Sequence, residues 1–335
     1  MWGLGEVVAI SLKTQKLLWG KAAGRCSRPE CRRTLVEDAT QTDDPTLIGE
    51  NCHIIAEADD GPRGDPTVST DQRNKYENLI LLCNADHKVV DDQTGKYTVD
   101  VLRQMKTDHE KWVEIQLGVD HKKQHDDLVY ADYVDTWIKL THLDQWTAWS
   151  SWILSSGQPR QSREIDDDLR TLRNWLLRRI WPGRYTAIES AFRNFFIVLQ
   201  DFQEKFREHA IPSNDGEMLR TEKFYKIDRW DDEAYATLSR EYSWHVDIVG
   251  DLMLELTRAA QLVCDRIREN MAPSFRLAEG RLIVQSGPDF NFGFHDFVVQ
   301  YSQQEREMDA PYPGFQQFLT IRTQRDIHYG STEKP

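Results

Sequence analysis

The sequence predicts an α+β protein, in which a small mixed domain precedes a larger, mainly α-helical domain with a few strands near the C-terminus. Three observations support this class. The chain has 335 residues, enough for two domains. Its 39% hydrophobic and 29% charged residues suit folded cores and argue against disorder. The pattern also changes from short, varied segments to long helical periodicity. We therefore expect domains at residues 1–118 and 130–335, joined by a linker at 119–129 or by a helix extension.

The charge excludes one class of nucleic-acid binder. With 42 Lys+Arg against 55 Asp+Glu, the net charge is −13, which is too acidic for coating nucleic acid without specificity. Residues 1–120 hold 15 basic and 21 acidic residues, and the remainder holds 27 and 34, so both parts are acidic. There is no apolar run near ~20 residues and no secretion signal. We expect a soluble cytoplasmic protein that does not contact a membrane.

The second region reads as successive amphipathic helices. Apolar residues recur at helical spacing around Leu169 and Leu172, and again over residues 192–206. Its many aromatic residues are expected in the core. Breaks are predicted at 157–159, 182–183 and 212–216, where glycine and proline interrupt the pattern. Alternating runs at 281–285 and 294–301 predict the C-terminal strands.

Four of the five cysteines lie in the first quarter of the chain, at Cys26, Cys31, Cys52 and Cys83. An odd number of cysteines does not suit a disulfide framework in a chain of this length. Clustering indicates either metal ligation or a core lined by reduced thiols, and both interpretations stay open. Cys264 lies among apolar residues and is expected in the helical core.

Residues 52–91 carry the pattern typical of phosphodiester hydrolysis. His53 ends an apolar strand, where an imidazole can deprotonate water near neutral pH. His87 and Asp91 lie four residues apart, so both project from one face of a helix and can hold a divalent ion. Asn78 begins the strand between them, as a brace for the loop or as a further ligand through its carbonyl oxygen. The prediction is a base at His53 and a metal site at His87, Asp91 and Asn78.

His53, Asn78 and His87 resemble the three signature residues of the HNH endonucleases, the ββα-metal nucleases. The likeness extends to residues 77–83 and to a trailing helix over 97–112, and covers about 100 of the 335 residues. It implies that His53 activates water, that Asn78 positions the loop or touches the metal, and that His87 binds one divalent ion. Magnesium or manganese is the expected ion, with nickel or zinc as alternatives.

Two positions depart from the family pattern. Cys52 stands where many relatives place an acid or histidine, and a thiolate suits Mg²⁺ poorly. Asp86 stands where many relatives have a histidine or cysteine. The family's optional structural zinc would have Cys26, Cys31 and Cys83, with a fourth ligand only if Asp86 or Cys52 supplies it.

Arginines near these positions are candidates for nucleic-acid binding. Arg63 and Arg73 flank the loop that in this family lies beside the scissile phosphate, so we expect backbone contacts from them. Arg28 and Arg32 lie close to the first cysteine turn, where they either bind phosphates or are exposed on a solvated turn. The remaining scattered histidines are expected to be structural: His109, His142, His209, His245 and His295.

These features predict a metal-dependent DNA endonuclease whose helical domain regulates it. An HNH nuclease fused to a large helical domain resembles effector nucleases of bacterial antiviral defence, which implies a sensor or partner subunit and leaves a homo-oligomer open. Two rivals remain. One is a binding or assembly subunit derived from an HNH nuclease that has lost turnover, and the other is an RNA-cutting enzyme of the same fold.

Overall fold

The computed structural model describes residues 10–38, 44–117, 120–155, 157–229, 231–288 and 291–330. The chain forms two compact units, Met1–Asp135 and Thr136–Pro335. The division falls inside one helix, α5, which spans His121–Thr141. Residues 121–129 of the expected linker are therefore helical, and its residue 119 lies outside the described residues.

The first unit is mixed in secondary structure, with a short 3₁₀ turn at Tyr76–Asn78. Its elements in chain order are α1 (Leu12–Lys21), β1 (Val36–Glu37), β2 (Thr46–Leu47), β3 (Gly49–His53), α2 (Thr70–Arg73), β4 (Leu79–Cys83), α3 (Asn84–Asp92), α4 (Val99–Leu117) and the first part of α5.

The strands β3 and β4 and the helix α3 form the centre of this unit. β3 and β4 are antiparallel, with Gly49 opposite Cys83 and His53 opposite Leu79. All of β4 is buried, as its unbroken apolar run predicts. α3 starts directly after β4, where the Cys83 Sγ accepts a hydrogen bond from the Asp86 amide at 3.4 Å. The sequence therefore produces a strand, strand and helix arrangement that holds the candidate residues on rigid elements.

The second unit is mainly helical, which confirms the coarse prediction of a mixed protein with a large helical region. Its elements are α6 (Trp146–Leu154), β5 (Arg160–Ser162), α7 (Arg163–Leu177), α8 (Thr186–Glu208), β6 (Ala210–Pro212), β7 (Met218–Thr221), α9 (Asp232–Asn270), β8 (Val284–Ser286), β9 (His295–Phe297), α10 (Gln303–Arg306) and α11 (Phe315–Ile321).

Helices α8 and α9 pack along each other and carry much of this core. The apolar face of α8 is buried, as its 3.6-residue period predicts. Trp137 meets Phe192 and Phe195 edge-on, with ring centroids 5.6 and 5.7 Å apart. These rings are core residues, as expected, and Cys264 is buried in α9.

One sheet was not predicted. β7 pairs with both β5 and β6 in a three-stranded antiparallel sheet, within a region that the periodicity indicated as helices and loops. The strands are three or four residues long, too short for alternation to be recognised. The prediction of C-terminal strands is confirmed by the antiparallel pair β8 and β9.

Among the helices described, none combines the length and apolar character needed to cross a membrane.

Candidate metal centre

The β3–α3 cluster consists of Glu50, Cys52 and His87, whose ligand-capable atoms all lie within 4.8 Å of one another. Glu50 and Cys52 are two residues apart on β3, so their side chains leave the same face of the strand. His87 reaches them from α3, which follows β4. Glu50 and His87 are partly exposed, whereas Cys52 is buried. The cluster thus combines a carboxylate, an imidazole and a thiol at the protein surface.

Both nitrogens of His87 face carboxylates. Its Nδ1 contacts Glu50 Oε2, and its Nε2 lies 3.1 Å from Asp91 Oδ2. Asp91 in turn accepts a hydrogen bond from Arg63 at 2.6 Å. His87 and Asp91 were expected to hold the ion together, but Asp91 contacts the imidazole and is absent from the group of ligand-capable atoms around His87, so its expected role as a metal ligand is revised to that of an orienting residue. Because Asp91 is held by Arg63, it can orient the imidazole while the Glu50 side remains open to a cation.

His53 lies at the last residue of β3 and is half-buried. Its Nε2 lies 2.9 Å from the Oδ1 of Asn74. Since an amide oxygen only accepts hydrogen bonds, Nε2 carries the proton in a neutral ring, and Nδ1 keeps a lone pair. His53 does not belong to any metal-capable group found among the described residues. This arrangement suits a proton acceptor better than a metal ligand.

Asn78 is buried and holds the loop after β3. Its Oδ1 accepts from the Ile55 amide at 2.9 Å, while its Nδ2 donates to the carbonyls of Ile55 at 2.9 Å and Arg73 at 3.0 Å. These bonds satisfy both ends of the amide. Of the two roles left open for Asn78, the geometry supports the loop brace, and the expectation of a metal ligand at Asn78 is revised accordingly.

Arg63 and Arg73 are interior side chains. Arg63 donates to the carbonyls of Ile54 at 2.7 Å and Val90 at 2.8 Å, besides Asp91. Arg73 is 4% exposed and donates to the carbonyls of Val68, Glu57 and Asp65 and to Asp59. The expected phosphate contact is therefore corrected to loop support, because these guanidinium donors are already occupied by the protein.

The loop they support also depends on a glycine. A Cβ at Gly64 would lie 2.1 Å from the carbonyl oxygen of Asp59, closer than real contacts allow. Only glycine lets these two backbone segments approach so closely. The Gly-Pro-Arg-Gly segment at 61–64 is thus a compact structural turn that brings Arg63 back to β3 and α3.

The cysteine cluster consists of Cys26, Cys31, Cys83 and Asp86, with all four ligand-capable atoms within 4.8 Å. Asp86 Oδ2 accepts from the thiols of Cys26 and Cys83, each at 3.2 Å. Arg28 donates to Asp86 Oδ1 at 2.6 Å. The fourth position that the sequence left open is therefore filled by Asp86, whereas Cys52 belongs to the β3–α3 cluster.

The protonation of the cysteine cluster follows from its burial. Burial raises the pKa of the Cys26 and Cys31 thiols above the ordinary value. Burial would also raise the pKa of Asp86, but hydrogen bonds from the cysteine thiols and from Arg28 outweigh it and lower that pKa to about 2. Without an ion, the cluster is one carboxylate surrounded by thiol donors. A divalent metal can bind in this cluster by displacing the protons of the thiols.

Arg28 and Arg32 are also engaged within the protein. Besides Asp86, Arg28 pairs with Glu30 at 3.2 Å. Arg32 contacts His109 Nδ1 and lies over the Trp112 ring, 4.5 Å from its centroid. The sequence left two roles open for Arg32, phosphate binding or exposure on a solvated turn, and the structure supports neither. The Arg32 side chain instead joins the cysteine turn to α4. His109 is fully buried and structural, as expected, and burial lowers its pKa to about 4.

Two exposed cations lie on another side of the braced loop. Lys75 and Arg103 line a cavity of about 320 Å³ together with Ile55 and Asn78. Both side chains are exposed and make no ion pair with any other described residue. They are therefore the cations next to Asn78 that can meet a phosphate without breaking an internal contact.

Sequence reasoning missed Glu50, Asn74, Lys75 and Arg103. Glu50 could have been found, because period-two alternation places it on the same face of β3 as Cys52. No local pattern distinguishes Asn74, whose contact with His53 depends on how the loop closes. Lys75 and Arg103 could be recognised only from the tertiary structure, which shows that their side chains are exposed.

In comparisons with known proteins, no family model matches the chain, and no curated protein matches it significantly.

Proposed function

We propose that the protein is a metal-dependent endonuclease that hydrolyses phosphodiester bonds in DNA, with the HNH-like residues of the first unit as its active site. One observation carries the proposal most: a cation-ready group of Glu50, Cys52 and His87 lies on β3 and α3, and His53 follows at the end of the same strand, held by Asn74. A metal site and a positioned imidazole carried by the same strand are two groups that metal-assisted hydrolysis uses.

The donor set decides which ion fits the β3–α3 cluster. One carboxylate, one imidazole and one thiol suit zinc or nickel better than magnesium or manganese, which prefer oxygen ligands. Glu50 and His87 would hold the ion, with the Cys52 thiol as the third member of the donor set. Asp91 would orient the imidazole of His87 by contacting its other nitrogen. An ion held there would neutralise the charge that develops on the phosphate and the leaving oxygen.

His53 provides the proton acceptor. With Nε2 directed to Asn74, the free Nδ1 takes a proton from a water molecule. The water oxygen then bonds to phosphorus as the bond from phosphorus to the leaving oxygen breaks, and the leaving oxygen takes a proton from solvent. Asn74 is a positioning residue in this scheme, because it fixes the tautomer and the ring without touching the substrate.

Lys75 and Arg103 supply the contacts to the substrate backbone. They replace Arg63 and Arg73 in this role, because the latter two are interior. A local pair of cations also fits the acidity of the chain: general attraction to DNA is weak, so binding depends on a few placed contacts.

The test is cleavage of plasmid DNA by the full chain with Mg²⁺, Mn²⁺, Ni²⁺ or Zn²⁺. We expect cutting with at least one ion, and a rate lower by about 10²–10⁴-fold in His53→Ala. Asn74→Ala should lower the rate less and should shift the pH profile, since the ring loses its fixed tautomer. Exposed His125→Ala is the matched control and should cut like the wild type.

Equal cleavage by His53→Ala and wild type would overturn the proposal. The same digest with ribosomal RNA or tRNA distinguishes the RNA-cutting rival, which predicts that RNA is cut and DNA is not.

We further propose that the cysteine cluster holds a structural zinc ion. Three thiolates and one carboxylate provide four ligands for a closed tetrahedral site. The charge of such a site is partly balanced by Arg28, which already contacts Asp86. This ion would tie the turn at Cys26 and Cys31 to the junction of β4 and α3, and so would support the elements that carry the active site.

The binding or assembly subunit remains a second candidate, and Cys52 favours it. Burial raises the pKa of this thiol, so the β3–α3 cluster offers a protonated thiol where a nuclease would benefit from an oxygen or nitrogen ligand. Calorimetric titration with Mn²⁺ and Zn²⁺ separates the two. Loss of one binding event in Glu50→Gln supports the nuclease, whereas identical titrations of Glu50→Gln and wild type support the binding subunit.

We propose that the second unit regulates cleavage and that the chain is an antiviral effector with a sensor partner; the two-part organisation and the acidity of the chain support this proposal. This role predicts that the isolated protein cuts slowly and that a partner raises the rate strongly. Co-expression with the products of neighbouring genes, followed by the plasmid assay, tests it. Full activity of the isolated chain, unchanged by any such product, would contradict it.

A further inference from the structure

A third metal-capable group lies in the second unit, away from the residues that resemble a nuclease. Glu208 ends α8, His209 follows it, and His245 lies on α9. Their ligand-capable atoms all lie within 4.8 Å of one another. The sequence separates His209 from His245 by a strand pair and a loop, so no spacing pattern indicated that they meet.

The two imidazoles are held by their surroundings. Their ring centroids are 4.7 Å apart and their planes are nearly perpendicular. The His209 ring also packs on Phe224, with the ring centroids 4.3 Å apart. The backbone carbonyl of His209 accepts a hydrogen bond from the Glu222 amide at 2.7 Å. A backbone hydrogen bond and an aromatic contact thus hold His209 against the segment that follows β7.

His245 presents a buried nitrogen that needs a partner. The residue is 3% exposed, and its Nε2 makes no hydrogen bond within the described part of the chain. Leaving a buried nitrogen unpaired is unfavourable, so such atoms usually meet a water molecule or an ion.

A comparable group in the same unit lacks these properties. His142, Glu164 and Asp168 are equally close, but none of them is buried. The His142 Nε2 already pairs with Asp168 at 2.8 Å. That group is a hydrogen-bonded pair near the surface, whereas the group at His245 contains a buried nitrogen with no hydrogen-bond partner among the described residues.

We propose that Glu208, His209 and His245 bind a divalent transition metal of the zinc class, with one water molecule as the fourth ligand. Two imidazoles and a carboxylate are a ligand set that zinc accepts. Bonds of about 2.0–2.1 Å place ligand atoms about 3.4 Å apart in a tetrahedral shell, so a group whose atoms lie within 4.8 Å of one another needs at most a small contraction.

Glu208 is the residue that can move. Its side chain is half-exposed and pairs with Lys205 at 2.9 Å. Exposed pairs of this kind contribute little, so metal binding can replace this one. The exposed carboxylate also gives an ion access from solvent. Bound there, the ion ties the end of α8 to the middle of α9, the two longest helices of the unit.

The experiment uses the full chain, stripped with a chelator and titrated with Co²⁺ and then with Zn²⁺. We expect wild type to bind one equivalent more than His209→Gln, and Glu208→Gln to weaken that equivalent at least tenfold. The lost equivalent should carry visible ligand-field absorption without a thiolate charge-transfer band, because its ligands contain no sulfur. The bands from the cysteine cluster should be unchanged, which separates this site from the two in the first unit.

Exposed His125→Gln is the matched control and should bind like the wild type. Near-ultraviolet circular dichroism checks that each variant is folded, and Glu208→Gln decides the outcome if His209→Gln misfolds, since Glu208 is half-exposed. Metal equivalents and affinities that are the same in wild type, His209→Gln and Glu208→Gln would overturn the proposal.

Discussion

The cysteine cluster and the β3–α3 cluster lie on neighbouring elements, yet they differ in burial and in chemistry. In the cysteine cluster, three thiols surround Asp86, and only Cys31 is more than slightly exposed. In the β3–α3 cluster, Glu50 and His87 are open to solvent. A closed set of soft ligands suits an ion that stabilises the fold, whereas an open set with an imidazole suits one that meets a substrate. Arg63 and Arg73 differ from Lys75 and Arg103 in the same way, because the first two are interior and the last two are exposed.

The largest expected effect comes from removing the closed cluster. Cys26→Ser combined with Cys31→Ser should lose one zinc equivalent and several kcal/mol of unfolding free energy in the first unit, because structural zinc binding contributes directly to folding. Zinc analysis and hydrogen exchange over residues 79–92 measure this. Cys52→Ala is the matched control and should keep that equivalent. Equal zinc content in the double variant and wild type would show that these thiols are simply buried.

A smaller loss is expected from the interior arginines. Arg73→Met should lower the local unfolding free energy by about 3 kcal/mol, because the partly buried hydrogen bonds from the buried Arg73 guanidinium to the carbonyls of Val68, Glu57 and Asp65 are all lost. Hydrogen exchange over residues 54–73 reports it. Exposed Arg33→Met should change stability by less than about 0.5 kcal/mol. If Arg73→Met were stable but bound DNA less tightly, phosphate contact would be the better interpretation.

The third effect depends on pH and concerns His109. Its folded pKa of about 4 lies below the ordinary value near 6.5, so the unfolded chain binds the proton more readily. The first unit should therefore be most stable above about pH 6.5 and should lose up to about 3 kcal/mol as the pH falls towards 4. Denaturation at several pH values measures this, and His109→Gln should flatten the dependence. A wild-type profile that does not change between pH 6.5 and 4 would contradict the burial argument.

The smallest effect concerns the exposed cations. Lys75→Ala and Arg103→Ala should each leave stability unchanged, weaken DNA binding by about tenfold or less, and reduce the slope of affinity against salt by roughly one contact. Binding titrations at several salt concentrations test both variants, with exposed Lys122→Ala as the control. An unchanged salt slope in both variants would place the DNA on another surface.

Much of the first unit could be predicted because its signals are local. The apolar run of β4, the helix that begins after Cys83 and the four-residue spacing of His87 and Asp91 all depend on neighbouring residues. The helices of the second unit follow from 3.6-residue periodicity in the same way. The sheet of β5, β6 and β7 could not be predicted, since each strand is too short to show a period.

The sequence by itself determined the mixed and helical organisation, the strand, strand and helix order around His53 and His87, and the cysteines available as ligands. Tertiary structure decided what each polar side chain does. Arg63 and Arg73 look free in a polar loop, but the loop folds over them and its carbonyls occupy their donors. Asp86 became the fourth member of the cysteine cluster, and His209 met His245, because long-range packing brings together residues that no periodicity connects.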